Sequence, residues 1–520
     1  MKEKTAFRQP DGTRVKRPRR HISPRYTLAV FLTLFETVAA MALVVVAIYF
    51  VNWLAYVELF AQLVVSIAIV NTKANPDYKI PWLVIVLVLP VAGIMIYFLY
   101  YSRKLPNHIL RQLENAHEMQ IKDDTAEMAE LEKRSVTYLQ QARQICRQAD
   151  SHLYRNTEAR YYALGDYVPA DMMADLRAAQ RYIFVYYFTI EEGEFWNPIL
   201  EILKEKVKAG VEVRLIYDDV GCFLTLPGNY YKKLRGWGIH ATPFAKLRGI
   251  ANNEFNNRSH RKMLIVDGKV AYTGGVNLQD RYINRHRVYG HWKDSVFRIR
   301  GEAVKEMVRM FLVDYSLTTN ETLKPEDYGP FEEVPQAEGF FIPFGSGPRP
   351  VYESHAAKAA ILNMVNMAKR YVFITTPYLV IDQVMTEALE NAAVRGVDVR
   401  IITPHIPDKK LVFSMTQSWY GRLIEQGVHI YEYEPGFIHA KLYIADDEVG
   451  IVGTVNLDYR SLVHHFENSV WFYDAPMLQD IKEDFLQTQK ICISIEKGTI
   501  KETLFRRFIR AVFRIFAPLM

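Results

Sequence analysis

At 520 residues the chain is too long for one small core and suits two or three domains. A formal net charge of +6 is modest for that length, so uniform basicity does not argue for nucleic acid as a partner. The cysteines Cys146, Cys222 and Cys492 are odd in number and lack a C-x-x-C pair, which argues against a disulfide framework and a zinc site.

The first stretch, 1–25, is a basic tail with Lys2, Lys4, Arg8, Arg14, Lys16, Arg17, Arg19, Arg20 and Arg25 against Glu3 and Asp11. Beside a membrane such a tail is drawn to anionic lipid, by about 1 kcal/mol per basic residue. A membrane anchor region follows at 26–102. Its apolar run 26–70 far exceeds a signal-peptide core and could cross twice, with a tight turn near Asn52-Trp53. Glu36 and Glu58 interrupt that run, so 37–57 is the uncharged window for one span; 80–101, closed by Arg103-Lys104, is a second. The basic tail places the N-terminus in the cytoplasm. Two crossings return the remainder there and three place it outside; two are favoured, with the extra apolar sequence re-entrant or interfacial. This predicts a multi-pass protein of a cell membrane. Residues 103–156 are polar and helix-prone, a connector whose charges form a solvated face.

The globular part is an internal repeat. Ala179-Gln180-Arg181-Tyr182 answers Ala368-Lys369-Arg370-Tyr371, and Gly210-Val211-Glu212-Val213-Arg214 answers Gly396-Val397-Asp398-Val399-Arg400. Strand-like runs at 182–189 and 371–376 alternate with helical stretches at 198–209 and 383–395, which predicts α/β lobes with layered sheets and flanking helices. Gly210 and Gly396 read as helix C-caps. The first lobe covers 157–317 and the second 355–500. Between them, 318–354 carries Pro325, Pro330, Pro335, Pro343, Pro348 and Pro350 and reads as a linker. Residues 501–520 form a basic amphipathic helix, suited either to a membrane surface or to packing on the core.

The repeat carries chemistry. His260, Lys262, Asp267 and Asn277 stand at offsets 0, 2, 7 and 17, and His439, Lys441, Asp446 and Asn456 repeat those offsets. On a strand, His and Lys two apart share a face, whereas an Asp seven on points the other way. By parity Asp267 and Asp446 support the strand rather than touch substrate. Glycines at Gly274-Gly275 and Gly453 allow close backbone approach, so Asn277 and Asn456 can aim amides at an anion. Two half-sites face to face give two imidazoles, two ammonium groups and two amides, a set suited to a phosphodiester. Lysines and asparagines hold the non-bridging oxygens, one His attacks phosphorus and the other protonates the leaving alkoxide. Each imidazole needs an acid to set its tautomer, and Asp294 and Glu467 are the candidates. No carboxylate cluster has ligand spacing, so neither metal nor cofactor is expected. His240, His286, His291, His405, His464 and His465 read as surface or satisfied histidines.

These motifs resemble the phospholipase D superfamily. With Tyr217-Asp218-Asp219, Asn257-Arg258-Ser259, Ser346-Gly347-Pro348, Thr376-Pro377-Tyr378 and Asn456-Leu457-Asp458-Tyr459-Arg460-Ser461, the chain is most similar to bacterial cardiolipin synthases. The resemblance implies a two-lobed phospholipase D fold. It also implies phosphatidyl transfer between two phosphatidylglycerol molecules through a phosphohistidine, releasing glycerol, with anionic membrane lipids as partners and no nucleic acid. It treats Asp267 and Asp446 as active-site residues along with the His-Lys pairs, against the parity argument. Leu379-Val380-Ile381 after Tyr378 departs from the family's usual aromatic and second proline. Near symmetry leaves the nucleophile open, with His260 preferred. A hydrolase, a phosphatidylserine synthase, a nuclease and a non-enzymatic scaffold are the rival readings.

Overall fold

The computed structural model describes residues 52–72, 75–101, 124–246, 257–319, 321–348, 351–498 and 504–519, apart from single positions within them, and scattered positions between 35 and 46. The basic tail and most of the 37–57 window lie outside the described residues.

Helix α1 (Asn52–Val70) carries Glu58 inside it, so the charge that seemed to end a span does not. Its segment Trp53–Val70 is, among the described residues, the one helix long and apolar enough to cross a membrane. The predicted straight span at 80–101 is replaced by two helices, α2 (Pro76–Val88) and α3 (Pro90–Tyr101). Trp82 and Tyr97 pack edge to face at 5.5 Å. Fifteen residues of straight helix would hold them roughly 22 Å apart, so the chain folds back at Leu89-Pro90. Proline supplies the break because it cannot continue the hydrogen-bond ladder. Gly93 makes the fold possible, since a Cβ there would collide with the Ile85 carbonyl. Each arm is about 20 Å long, short of the roughly 30 Å hydrocarbon core.

Residues 103–123 of the connector lie outside the described residues, and its part from 124 onward holds two helices, α4 (Thr125–Arg134) and α5 (Val136–Ala149). It is more than a solvated spacer. Leu139, Ala142 and Ile145 enter the core of the second lobe, and Gln141 accepts from Trp471 Nε1 at 3.1 Å.

The first lobe runs β1 (Thr157–Tyr162), α6 (Val168–Ala178), β2 (Tyr182–Tyr187), α7 (Trp196–Lys208), β3 (Glu212–Asp218), α8 (Tyr230–Arg235), β4 (His240–Phe244), β5 (Lys262–Val266), β6 (Val270–Gly274), β7 (His291–Lys293), β8 (Val296–Gly301) and α9 (Val304–Thr319). The second runs β9 (Phe340–Ser346), α10 (Ala356–Met367), β10 (Tyr371–Thr375), β11 (Leu379–Val380), α11 (Gln383–Val394), β12 (Asp398–Pro404), α12 (Lys410–Glu425), β13 (His429–Tyr433), β14 (Gly436–Ile438), β15 (Leu442–Ala445), β16 (Val449–Gly453), β17 (Leu457–Asp458), β18 (Glu467–Tyr473), α13 (Met477–Lys490) and β19 (Cys492–Ile495). Helix α14 (Leu504–Phe516) closes the chain.

Seven strands form one sheet in the order β1-β8-β6-β5-β2-β3-β4, and eight form the other in the order β19-β13-β12-β10-β15-β16-β18-β9. Apart from β19 the orders correspond strand for strand. In each, three consecutive strands (β2, β3 and β4; β10, β12 and β13) are parallel and the His-x-Lys strand runs antiparallel to the first of them. Strand β2, Tyr-Ile-Phe-Val-Tyr-Tyr, is buried along its whole length, as a strand covered on both faces must be. Residues of both sheets share one core, where Phe297 meets Phe472 at 5.3 Å. Separate helix-covered cores lie on the far side of each. Gly210 and Gly396 take φ of +87° and +90°, the left-handed geometry of the predicted caps.

The linker reading needs one correction. Within 318–354 lies β9, which pairs with β18 and completes the second sheet. Pro343 disguised it, but β9 is an edge strand, where a missing N–H costs no ladder bond.

Candidate active site

The two lobes reach into each other through paired backbone segments. Ser259 bridges Phe466, and the His260 amide donates to the Phe466 carbonyl at 2.8 Å. Strand β14 runs parallel to β7, and the His439 amide donates to the Lys293 carbonyl at 2.7 Å. In both places the residue after the accepting carbonyl is an acid, Glu467 or Asp294. The register therefore sets each histidine beside a carboxylate of the other lobe. His260 Nδ1 lies 3.0 Å from both oxygens of Glu467, and His439 Nδ1 lies 2.7 Å from Asp294 Oδ2. Anchoring Nδ1 fixes the ring and leaves Nε2 to face the cleft.

The lysines lie beneath the imidazoles. Lys262 Nζ donates to the His260 carbonyl at 2.7 Å, and Lys441 Nζ donates to the His439 carbonyl and lies 2.8 Å from His439 Nδ1. All four side chains are buried. Burial lowers both imidazoles well below the usual histidine range, and the two ammonium groups lower them further. Burial also brings Lys262 down to about 7 and Lys441 to about 8, and raises Asp294 to about 6 and Glu467 to about 7. The site thus keeps neutral imidazoles beside cations that give up their protons near neutrality. Neutral imidazole is the nucleophilic form.

Aromatic rings wall the cleft. Phe188 stands edge-on to His260 at 5.1 Å, and Tyr282 and Trp292 flank His439 at 5.4 and 5.3 Å. Such walls lower the local dielectric and strengthen the polar contacts.

Asp267 and Asp446 are not in the cleft. Asp267 accepts from the backbone amides of Gln180, Arg181 and Tyr182, at 2.8, 2.8 and 2.9 Å. Asp446 does the same for Lys369, Arg370 and Tyr371, at 2.7, 2.8 and 2.9 Å. Each stands at the end of its strand away from the lysine, in a left-handed turn with φ of +53° or +59°. The assignment of these two aspartates as catalytic is therefore corrected, and the parity argument gives the reason. They tie the His-x-Lys strand to the start of the neighbouring strand.

The asparagines are partly committed. Asn277 Oδ1 accepts from the Thr189 amide at 3.1 Å while Nδ2 donates to Tyr282 Oη at 2.7 Å. Asn456 Nδ2 donates to Asp458 at 3.2 Å. Each amide group has two protons, so one from each remains for an anion.

Two features escaped the sequence reading. The first is a buried pair, in which Arg258 donates to Asp218 at 2.9 Å and Asp218 also accepts from the Ser259 amide at 3.0 Å. This bolts the entry to His260 onto the end of β3. The second is His465, which is neither at the surface nor satisfied. Its ring lies 5.8 Å from that of His260, and both of its nitrogens are buried without a hydrogen-bond partner. Parity was the available signal, because His465 and Glu467 are two apart in extended chain. Donor atoms of His260, His465 and Glu467 lie within 4.8 Å of one another, a grouping the spacing argument about metals did not foresee. The set suits a divalent cation poorly. Glu467 is already bonded to His260, and two buried ammonium groups stand close by.

The family model for the cardiolipin synthase, phospholipase D-like domain matches residues 172–311 and 361–489, one block per lobe. The chain belongs to the cardiolipin synthase family. A phospholipase D-nuclease N-terminal model matches 60–100, across the apolar helices. An uncharacterised protein of Streptococcus mutans is 37% identical over 87% of this chain and 98% of its own. A cardiolipin synthase of Halalkalibacterium halodurans is 30% identical over 94% of this chain and 98% of its own. The crystal structure of phosphatidylserine synthase from Haemophilus influenzae superposes with a TM-score of 0.56 at 13% identity. It covers 73% of this chain and 98% of that one, and is a likeness of fold.

Proposed function

We propose that the protein is a phosphatidyltransferase that makes cardiolipin and glycerol from two molecules of phosphatidylglycerol. The crosswise pairing of His260 with Glu467 and of His439 with Asp294, over two buried lysines, carries this reading. His260 Nε2 attacks the donor's phosphorus. The new P–N bond forms as the P–O bond to the departing glycerol breaks, and His439 gives that alkoxide its proton. The glycerol hydroxyl of a second lipid then passes its proton to His439 and attacks phosphorus, breaking the P–N bond. One phosphodiester replaces another, so no nucleotide is needed. Lys262 and Lys441 balance charge on the non-bridging oxygens. An asymmetry at Nδ1 supports these roles. His260 Nδ1 has both Glu467 oxygens beside it, so it carries a proton and leaves a lone pair on Nε2. At His439, Nδ1 faces both Asp294 and Lys441 Nζ, so as Nε2–H protonates the departing alkoxide, Nδ1 takes a proton from Lys441 and the ring is not left an imidazolate.

Two apolar surfaces support a multi-pass membrane setting. Helix α1 has the length of a span, and a preceding crossing through the apolar stretch 26–51 would return the lobes to the cytoplasmic side. The α2–α3 hairpin then serves as a re-entrant element. Purified protein in mixed micelles with phosphatidylglycerol as sole lipid, EDTA and no nucleotide tests the activity. Cardiolipin with equimolar glycerol, read by mass spectrometry, is the expected product. Phosphatidic acid alone would replace the synthase reading with a hydrolase.

A further inference from the structure

Between the catalytic cleft and the apolar helices lies one short element that the mechanism above does not use. Residues Arg460–His464 form a π-helical turn. Such turns are rare and gather at functional sites. One side of it faces the membrane elements. Tyr459 donates to Asp77 of α2 at 3.2 Å, Tyr78 packs edge-on against both Tyr459 and His464 at 5.4 Å, and His464 Nε2 lies 3.2 Å from the Pro518 carbonyl. The other side leads directly to His465 and Glu467, with the His465 amide donating to the Arg460 carbonyl at 2.8 Å.

The polar groups on this turn are unsatisfied in a way that calls for a ligand. Arg460 is half-buried, and its guanidinium makes no ion pair among the described residues. The opposing charge near it, Asp458, already accepts from Asn456 Nδ2 at 3.2 Å and the Ser461 amide at 2.8 Å. Burial lowers the Arg460 guanidinium below its usual range. Two buried ring nitrogens on His465 without a hydrogen-bond partner are costly, and Glu467 Oε1 stands 3.8 Å from Nδ1, beyond hydrogen-bond reach. The Arg460 charge is near enough to act on the His465 ring, which lies 5.8 Å from that of His260, and a single anion with several acceptor oxygens would meet both.

We propose that Arg460 and His465 form the subsite for the phosphodiester of the acceptor lipid, and that the π turn is where this lipid's headgroup enters from the membrane. The inference rests on the proposed transfer between two phospholipids. That reaction places two phosphates in one cleft, whereas the paired His-Lys motifs provide for one. The spacing fits. An acceptor's reacting hydroxyl must meet the phosphorus on His260, and its own phosphate follows across a glycerol of roughly 5 Å. His465 stands 5.8 Å from His260, ring to ring. Arg460 recognises phosphate by a planar fork of donors, and the neutral His465 ring adds one more.

The test sets a lipid acceptor against one with no phosphate. Wild type, Arg460→Gln, Arg460→Lys and His465→Phe are given labelled phosphatidylglycerol in micelles containing ethanol, and cardiolipin and phosphatidylethanol are measured together. Both products draw on the same phosphatidyl-enzyme, so their ratio reads acceptor recognition alone. The ratio should fall about tenfold in Arg460→Gln and severalfold in His465→Phe, with partial recovery in Arg460→Lys. Rising phosphatidylglycerol should restore the ratio, as a KM effect requires. An unchanged ratio, with both products falling together, would overturn the subsite and leave Arg460 a structural residue. A wild-type protein that makes phosphatidylethanol but no cardiolipin would instead remove the transfer reading beneath it.

Discussion

Asp267 and Glu467 are both buried carboxylates, yet their partners give them different work. Asp267 holds three backbone amides of the neighbouring strand's start, whereas Glu467 holds an imidazole. Hydrogen bonds to a charged acceptor contribute about 1.5–3 kcal/mol each, only part of which is lost when water replaces the carboxylate. Asp267→Ala should therefore lower stability by about 3 kcal/mol in denaturant or thermal melts. The folded fraction should keep kcat within about threefold. Glu467→Gln should do the reverse, with melting little changed and kcat down about 10²–10⁴-fold, the scale of lost acid–base positioning. A second prediction follows from the lysines. Burial brings Lys262 to about 7 and Lys441 to about 8, so the free enzyme loses phosphate-holding charge as pH rises through 7 to 8. Bound phosphate favours the ammonium forms and raises both values. The alkaline limb of kcat/KM should fall near pH 7–8, and that of kcat should lie higher. On the acid side, protonation of Glu467 below about 7 removes the acceptor for His260 Nδ1–H, so kcat/KM should fall there. Lys262→Arg should shift the alkaline limb of kcat/KM upward, from about 7 towards the Lys441 value of about 8, since guanidinium stays charged. A limb that does not move would assign it to another group.

At the level of elements, α14 is built inside out for a water-soluble protein. Arg510 donates to Ser414 Oγ and Gln417 Oε1, both at 3.1 Å, and Arg514 lies over the Trp419 ring at 4.6 Å, so the basic side packs on α12. Leu504, Phe508, Val512 and Ile515 form a stripe on the outside, with Leu504 84% and Phe508 65% exposed. Lipid is the medium that makes such a face stable. Phe508→Trp in reconstituted vesicles should be quenched by acyl-brominated lipid, and Phe513→Trp, on the side packed against the core of the second lobe, should be quenched less. Equal quenching, or none, would return α14 to the protein surface. The sequence showed this helix and its two faces but not which one points outward, because that depends on α12, a hundred residues earlier. The same limit hid β9. Its residues look like linker until β18 supplies the ladder that makes them a strand. The α2–α3 hairpin was hidden for a related reason, since hydropathy reports apolar length and says nothing about a fold at Leu89-Pro90. Alternation within a single strand was legible throughout. It placed His and Lys together, placed Asp267 and Asp446 apart from them, and could have placed His465 beside Glu467.

For the molecule as a whole, the exchange of carboxylates between lobes makes two near-identical halves into one site with two different jobs. Duplication supplied the same His-x-Lys strand twice, and the sequence displayed this openly through its offsets. It could nominate Asp294 and Glu467 but not show that each serves the other lobe, because that depends on the parallel pairing of β7 with β14 and of Ser259 with Phe466. The pairs are not equivalent. Thr454 donates its hydroxyl to Glu467, where the first lobe has Gly275 against Asp294, and Lys441 reaches His439 Nδ1. The Thr454 hydroxyl fixes the Glu467 carboxylate in place beside His260 Nδ1, which holds that ring's proton on Nδ1. The lysine at His439 favours the proton on Nε2. The halves should therefore separate chemically when the need for an acid is removed. A phosphatidyl donor with p-nitrophenol as leaving group departs without protonation. Given this donor with a label on phosphorus, His439→Asn should accumulate a labelled protein. The bond should be labile to acid and stable to base, as a phosphoramidate is, and peptide mapping should place it on His260. His260→Asn should take up no label with the same donor. Label on His439 in the His260→Asn protein would reverse the two roles while leaving the crosswise pairing in place. Label on neither variant, with turnover by the wild type, would argue for direct displacement by the acceptor and against a covalent intermediate.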